Sequence, residues 1–333
     1  MTLAAPFCRL LQAPEEAFDP TTQYVRICSA GTLFIVAFNV IGSVFRGLGD
    51  SKMPLITVAI ACVVNIFGDL LLVAVFHLGA AGAALATVFA QAISVVLSLF
   101  VIARRKLPFT FRKEQLRFDR PLTAGILRLG VPIALQDVLV GVSFLVILAI
   151  VNSLGLLQSA GMGIAEKVCA FVMLLPSAFS QSVSAFVAQN TGAAKPDRAK
   201  KALRYSVVTS LCISVFVFYF NFFHGDLLAG IFANDRAVIL EAADYLKAYA
   251  IDCLLTSFLF CFVGYFSGLG KTVFVMAQGI LGAFGVRIPV SFFMSRLPNV
   301  RLFYIGLATP CSTVVQVILC LAYYAHLSRR KKA

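Results

Sequence analysis

The chain has 333 residues, 60% of them hydrophobic and only 13% charged, with a mean hydropathy of +0.92, whereas a soluble domain is nearer half apolar and a quarter charged. That much apolar surface cannot be hidden in one soluble core, so its solvent must be largely lipid. The net charge of +13 falls in short Lys and Arg clusters between apolar runs, at 104–106, 195–204 and 329–332; this is the pattern of cytoplasmic loops beside an anionic membrane face and excludes a nucleic-acid binder with an aromatic-rich basic domain.

A spanning helix needs about 20 apolar residues. Nine stretches qualify in chain order: 24–46, 53–76, 79–103, 124–152, 157–187, 204–223, 240–266, 272–295 and 302–326. The expected class is therefore an all-α polytopic membrane protein. The links after the odd-numbered spans hold Arg46 and Lys52, Arg104 to Arg120, Lys195 to Arg204, Lys271, and Arg329 to Lys332. The links at 77–80, 154–159, 224–239 and 295–300 are poor in Lys and Arg. Odd-numbered spans are thus expected to end in the cytoplasm, with the C-terminus cytoplasmic. The first residues lack a basic segment followed by an apolar core, so no cleavable signal peptide is expected. The nine cysteines are dispersed and form no CxxC pair, which favours small hydrophobes in helices over disulfides or metal.

A shift of 221 positions lays Tyr24 on Tyr245 and Gly47-Leu48-Gly49 on Gly268-Leu269-Gly270 without a gap. Six spans separate the copies, an even number, so both have one orientation and form a parallel repeat about an axis along the membrane normal. The boundary between the units is expected at 121/122. The unit 122–333 holds six spans with GLG after the fourth, whereas 1–121 shows three, beginning with the span that carries GLG. By the logic of the repeat, three N-terminal spans are absent from the first unit.

RGLGDSKMPL at 46–55, VNIFGDLLL at 64–72, GAAGAALATVFAQ at 79–91, LRLGVPIAL at 127–135 and SAFVAQNTGAAKPDRAKKAL at 184–203 together resemble the multidrug and toxic compound extrusion (MATE) transporters, from the family's fourth helix to its twelfth. The resemblance implies two six-helix lobes facing a central cleft and cation-coupled export of bulky, often cationic, organic compounds. It also implies no enzymatic activity, no cofactor beyond a coupling H⁺ or Na⁺, and no obligate protein partner.

Ionisable groups at membrane depth cost on the order of 2.5–3.5 kcal/mol each and are functional candidates by default. Asn65 and Asp69 are i and i+4, so they share a helix face. Asp69 lies about seven residues, roughly 10 Å, from the outer end of its span, and Thr87 stands at the same depth on the next, antiparallel span. A carboxylate, an amide oxygen and a hydroxyl at one depth can coordinate Na⁺ or hold a proton; the alternative is a polar cluster that fixes helix packing. The family resemblance implies an ion site at such an Asn-x-x-x-Asp and Thr, with a further aspartate on the family's first helix. In the second unit Asp137 and Asp252 fall near mid-span. Glu166 and Arg287 lie further outward, with Lys167 beside Glu166, and a Glu166–Arg287 ion pair is expected. The family's seventh-helix glutamate would fall at Val140 and its tenth-helix aspartate near Thr256. Either those roles have moved to Asp137 and Asp252, or coupling runs through the first lobe only. Tyr249, Phe260 and Phe266 are candidates for an aromatic cleft wall, against lipid contact as the plainer role. Three further readings compete with an exporter: a lipid-linked substrate flippase of the same superfamily, whose cleft would need to be strongly cationic; a membrane transferase, which wants paired Asp-rich metal motifs; and a nonfunctional fragment.

Overall fold

In the computed structural model the described residues, 4–6, 15–104, 118–298 and 300–330, form helices with short connections, and no strand occurs among them. Cys8, most of the basic link at 105–117, and Lys331–Lys332 lie outside the described residues. The chain divides into two compact units, Met1–Arg117 and Phe118–Ala333. Among the described residues eight helices are long and apolar enough to cross a bilayer, and a ninth span exists if one bent pair counts as one. The protein is a polytopic all-α membrane protein.

The first unit contains α1 (Glu15–Ala30), α2 (Thr32–Gly47), α3 (Lys52–Asp69) running into a π-helical stretch (Leu70–Val75), and α4 (Gly79–Arg104). Its first expected span is not one straight helix: the chain bends by 57° at Gly31, between α1 and α2. A Cβ at Gly31 would overlap the γ-carbons of Val88 on α4, so α4 presses against the chain at a point where no side chain stands. The same principle closes the α3–α4 hairpin. Ala84, Ala86 and Ala90 are buried, a Cβ on Gly68 would come within 2.9 Å of Ala86 Cβ, and Ser94 Oγ donates to the Thr57 carbonyl at 3.1 Å. Small residues let membrane helices approach until backbone and side chain touch.

The second unit contains α5 (Arg120–Asn152), α6 (Leu156–Gly192), α7 (Pro196–Phe223) and α8 (Arg236–Gly268). It continues through α9 (Thr272–Ile280), a π-helical stretch (Leu281–Arg287), α10 (Ile288–Ser295) and α11 (Ala308–Arg330). The central element is α8, buried along nearly its whole length. Its first half joins an apolar cluster with Ile147, Met162, Tyr245 and Tyr249, and its last turns join another with Val187, Phe262, Phe266 and Val275. Tyr249 and Phe266 are therefore core residues, not cleft wall or lipid-facing rings, and Phe260 is half-buried. Between the two clusters runs a polar belt of Asp252, Thr256 and Ser257, to which α7 adds Ser210 and Ser214 and α11 adds Thr313. Gly264 and Gly268 set α8 directly on α6: Cβ atoms there would collide with the Ser180 and Ser184 carbonyl oxygens.

The repeat is a structural fact. α2 ends at Gly47 and α8 at Gly268, 221 positions apart. Both close with one cap. Gly49 and Gly270 are left-handed, at φ +84° and +71°. The Asp50 amide donates to the Phe45 carbonyl at 3.0 Å and the Lys271 amide to Phe266 at 2.8 Å. This is the Schellman arrangement, with glycine at the position that needs positive φ.

Candidate functional site

On α3 and α4 the candidate residues of the first unit meet. Asn65 Nδ2 donates to Thr87 Oγ1 at 3.4 Å, and Thr87 Oγ1 donates to the Ala83 carbonyl at 3.0 Å. Asp69 is one turn further along α3 than Asn65, and its Oδ1 is buried with no hydrogen-bond partner among the described residues. A carboxylate oxygen removed from water without a donor is costly. One turn away on the same helix face is the Asn65 amide, in contact with the Thr87 hydroxyl; carboxylate, amide and hydroxyl oxygens are of the kind that take hard cations. Gln91, the last residue of the 79–91 stretch and not among the candidates read from sequence, lies one turn from Thr87 on the same face of α4, and its Oε1 is also buried without a partner among the described residues.

In the second unit Asp252 is 1% exposed at the midpoint of α8. Thr256 Oγ1 donates to its Oδ2 at 2.9 Å and Thr313 Oγ1 to its Oδ1 at 2.6 Å. Arg287, at the end of the π-helical stretch, is 7% exposed. Its Nη1 donates to Ser143 Oγ at 3.3 Å, its Cζ stands 4.5 Å from the Phe144 ring centroid, and its Nε has no acceptor among the described residues. Nor does any carboxylate oxygen among them lie within 4.0 Å of the guanidinium. The expected Glu166–Arg287 pair is thus not formed. Similar depth suggested it, but Arg287 leaves its helix toward Ser143 and Phe144 on α5. Glu166 is half-buried, Lys167 sits over the Phe232 ring with Nζ 5.9 Å from its centroid, and Asp137 lies at mid-α5. No hydrogen bond or ion pair joins these three to Asp252 among the described residues. Nor does any cluster of three or more His, Cys, Asp or Glu able to hold a metal occur there.

A second anchor of the repeat exposes the relation between the two groups. Leu85-Ala86-Thr87 recurs as Leu307-Ala308-Thr309, at an offset of 222, one residue more than at the caps. A π-helical turn houses one residue more than an α-turn; Leu281–Arg287 is such a turn, and the first unit has its own at Leu70–Val75, beyond Asn65 and Asp69. At this offset Asn65, Asp69, Thr87 and Gln91 fall on Arg287, Ser291, Thr309 and Thr313. All four counterparts are buried polar residues. At the cap offset of 221, Asp252 falls on Gly31. The Leu-Ala-Thr repeat is the signal that would have found Thr309 and Thr313 from sequence.

The MatE family model matches residues 1–71 and 132–293; the chain belongs to the MatE family of membrane transporters. It is 25% identical over 331 residues to the probable multidrug resistance protein YoeA of Bacillus subtilis, covering 97% of this chain and 72% of YoeA. It is 27% identical over 292 residues to the multidrug export protein MepA of Staphylococcus saprophyticus, covering 86% of this chain and 63% of MepA. The chain thus spans less than two thirds of MepA. The fold matches a crystal structure of MATE in complex with MaL6 at a TM-score of 0.91 and 17% identity, covering 100% of this chain and 76% of that one. It also matches a MOP superfamily transporter from Pyrococcus furiosus, described as having a binding pocket of reversed polarity, at 0.92 and 18%, covering 100% and 75%.

Proposed function

We propose that the protein is a secondary-active multidrug exporter. It moves small organic, mostly cationic, compounds out across the cell membrane by alternating access, coupled to inward flow of H⁺ or Na⁺. Membership of the MatE family and relatives named for multidrug export support this reading, as does the placing of its ionisable groups in membrane-crossing helices. The observation that carries the coupling is the buried, unpartnered Asp69 Oδ1 next to the Asn65–Thr87 contact. An acid kept at membrane depth without a donor gains most from a mobile cation or proton. Asp137 and Asp252 are secondary coupling residues in this scheme, with Glu166, Lys167 and Arg287 as supporting intramembrane charges. The basic links face the cytoplasm, as does the C-terminus, and the partners are lipid and the exported compounds.

The test is ethidium efflux from cells expressing the protein. Asp69→Asn abolishes cation-dependent efflux while the membrane level of the protein holds; Asp137→Asn and Asp252→Asn reduce it less. Unimpaired efflux by Asp69→Asn would reduce that carboxylate to a packing element.

A further inference from the structure

We infer that the second unit binds the phosphate of an anionic phospholipid, in the cavity where the ends of α7, α8 and α11 meet. The site lies apart from the buried acids and does not depend on how transport is coupled.

The cavity has a volume of about 120 Å³. Lys200 reaches it from the start of α7, Lys271 from the turn that follows the α8 cap, and Ser328 from the last turn of α11. Tyr265 of α8 and Tyr324 of α11 also line it, with their ring centroids 5.8 Å apart and edge-on. Lys271 forms no ion pair among the described residues, and Lys200 has only Asp197, at 4.0 Å. Asp197 is exposed, and an exposed pair at that distance contributes little, so both ammonium groups are available to an anion. Tyr265 is 5% exposed, yet its hydroxyl makes no hydrogen bond among the described residues. A phenol so deeply placed normally finds a partner, and a phosphate oxygen in the cavity would accept from it. The carbonyls at the α8 end, which would repel an anion, are already taken: Tyr265, Phe266 and Ser267 accept from the amides of Leu269, Lys271 and Gly270.

The repeat shows that the fold requires neither the cation nor the phenol. The same glycine cap closes α2, where the registers of Tyr265 and Lys271 hold Val44 and Asp50. A cap that works with an acid after its glycine has no need of a lysine there. The rest of the wall suits a lipid better than a dissolved phosphate. Leu269, Leu327 and the two phenol rings line the cavity with carbon. On α11, Ser328 shares a helix face with Leu321, Ile318 and Val314, all three exposed. An acyl chain can lie along that face while its phosphate stays between the lysines, as anionic head groups do in basic pockets between membrane helices.

The experiment is contact quenching of tryptophan fluorescence. The chain has no tryptophan, so Leu321→Trp places a single indole on the acyl track. The purified full chain is reconstituted in phosphatidylcholine vesicles to which phosphatidylglycerol or phosphatidylcholine with brominated acyl chains is added. Brominated phosphatidylglycerol is expected to quench at a mole fraction at least about fivefold lower, the effect of one lysine at an anionic surface. Lys200→Gln combined with Lys271→Gln removes the preference. Lys195→Gln combined with Arg198→Gln, an equal loss of charge at residues that do not line the cavity, keeps it. Tyr265→Phe, which deletes only the unpartnered hydroxyl, weakens it by about threefold. Thermal unfolding checks folding, and Lys271→Gln alone, which lowers the preference, serves where the double variant is poorly folded. Equal quenching by the two lipids overturns the inference. So does a preference that survives the loss of both lysines, or one that disappears equally with Lys195 and Arg198. Millimolar inorganic phosphate at matched ionic strength is expected to leave the preference in place; if it abolishes it, the cavity takes dissolved phosphate and the lipid assignment fails.

Discussion

Residues 15–47 and 236–268 are the same element used twice, and they differ at one height. Both end in a left-handed glycine cap with matching hydrogen bonds. Halfway along, the first copy has Gly31 and bends by 57°, while the second has Asp252 and continues as one helix. At Gly31 the neighbouring helix fills the gap with Val88; at Asp252 it sends in the Thr313 hydroxyl instead. One position therefore decides whether the pair of helices is locked by shape or by a buried charge. The shape-locked unit keeps its acid elsewhere and unpartnered, and the charge-locked unit holds its acid with the hydroxyls of Thr256 and Thr313.

The sharpest way to break this comparison is to remove the charge. Asp252→Leu leaves the buried Thr256 and Thr313 hydroxyls without their acceptor, and stability is expected to fall by about 2 kcal/mol. Combining it with Thr313→Val should recover part of that loss in thermal unfolding. If the single substitution is as stable as the parent, Asp252 does not lock these helices. The shape lock is tested by Gly31→Ala. Alanine is the better helix former by about 1 kcal/mol, yet its Cβ would overlap the γ-carbons of Val88. Overpacking of about 2 kcal/mol should therefore win in thermal unfolding, and Val88→Ala should reverse the sign. The smallest effect concerns the shared caps. Gly49→Ala and Gly270→Ala each place a Cβ at positive φ, for roughly 1–2 kcal/mol. Similar losses of stability at the two positions would sharpen the equivalence, and a silent member of the pair would break it.

The spans and the GLG repeat were legible because lipid imposes length and apolarity on every crossing helix, and because positive φ selects glycine at both caps. Asn65 and Thr87 were legible as neighbours because equal depth on two antiparallel spans in one short hairpin leaves few alternatives. Equal depth failed for Glu166 and Arg287, since depth says nothing of which way a side chain leaves its helix. The bend at Gly31 was hidden for a related reason: a glycine in an apolar run signals nothing, and its cause is a valine on α4. Thr313 donates to an acid 61 residues away in the chain, a pairing that only the packing of α11 on α8 creates.

The π-helical turn at Leu281–Arg287 has a consequence for how the two halves align with each other. Each residue added to a helix rotates the chain beyond it by about 100°, so the halves are in phase at their caps and one residue out of phase from this turn until the first unit's own π stretch at Leu70–Val75. An ungapped comparison sets Asn65 against Val286, a half-buried valine, and the kinship of the two polar groups vanishes from view. With a single gap placed at the turn, four polar side chains fall into line together. The extra residue works as a frame shift written into the helix itself, presenting to the interior a face that an uninterrupted α-helix would hold one step round.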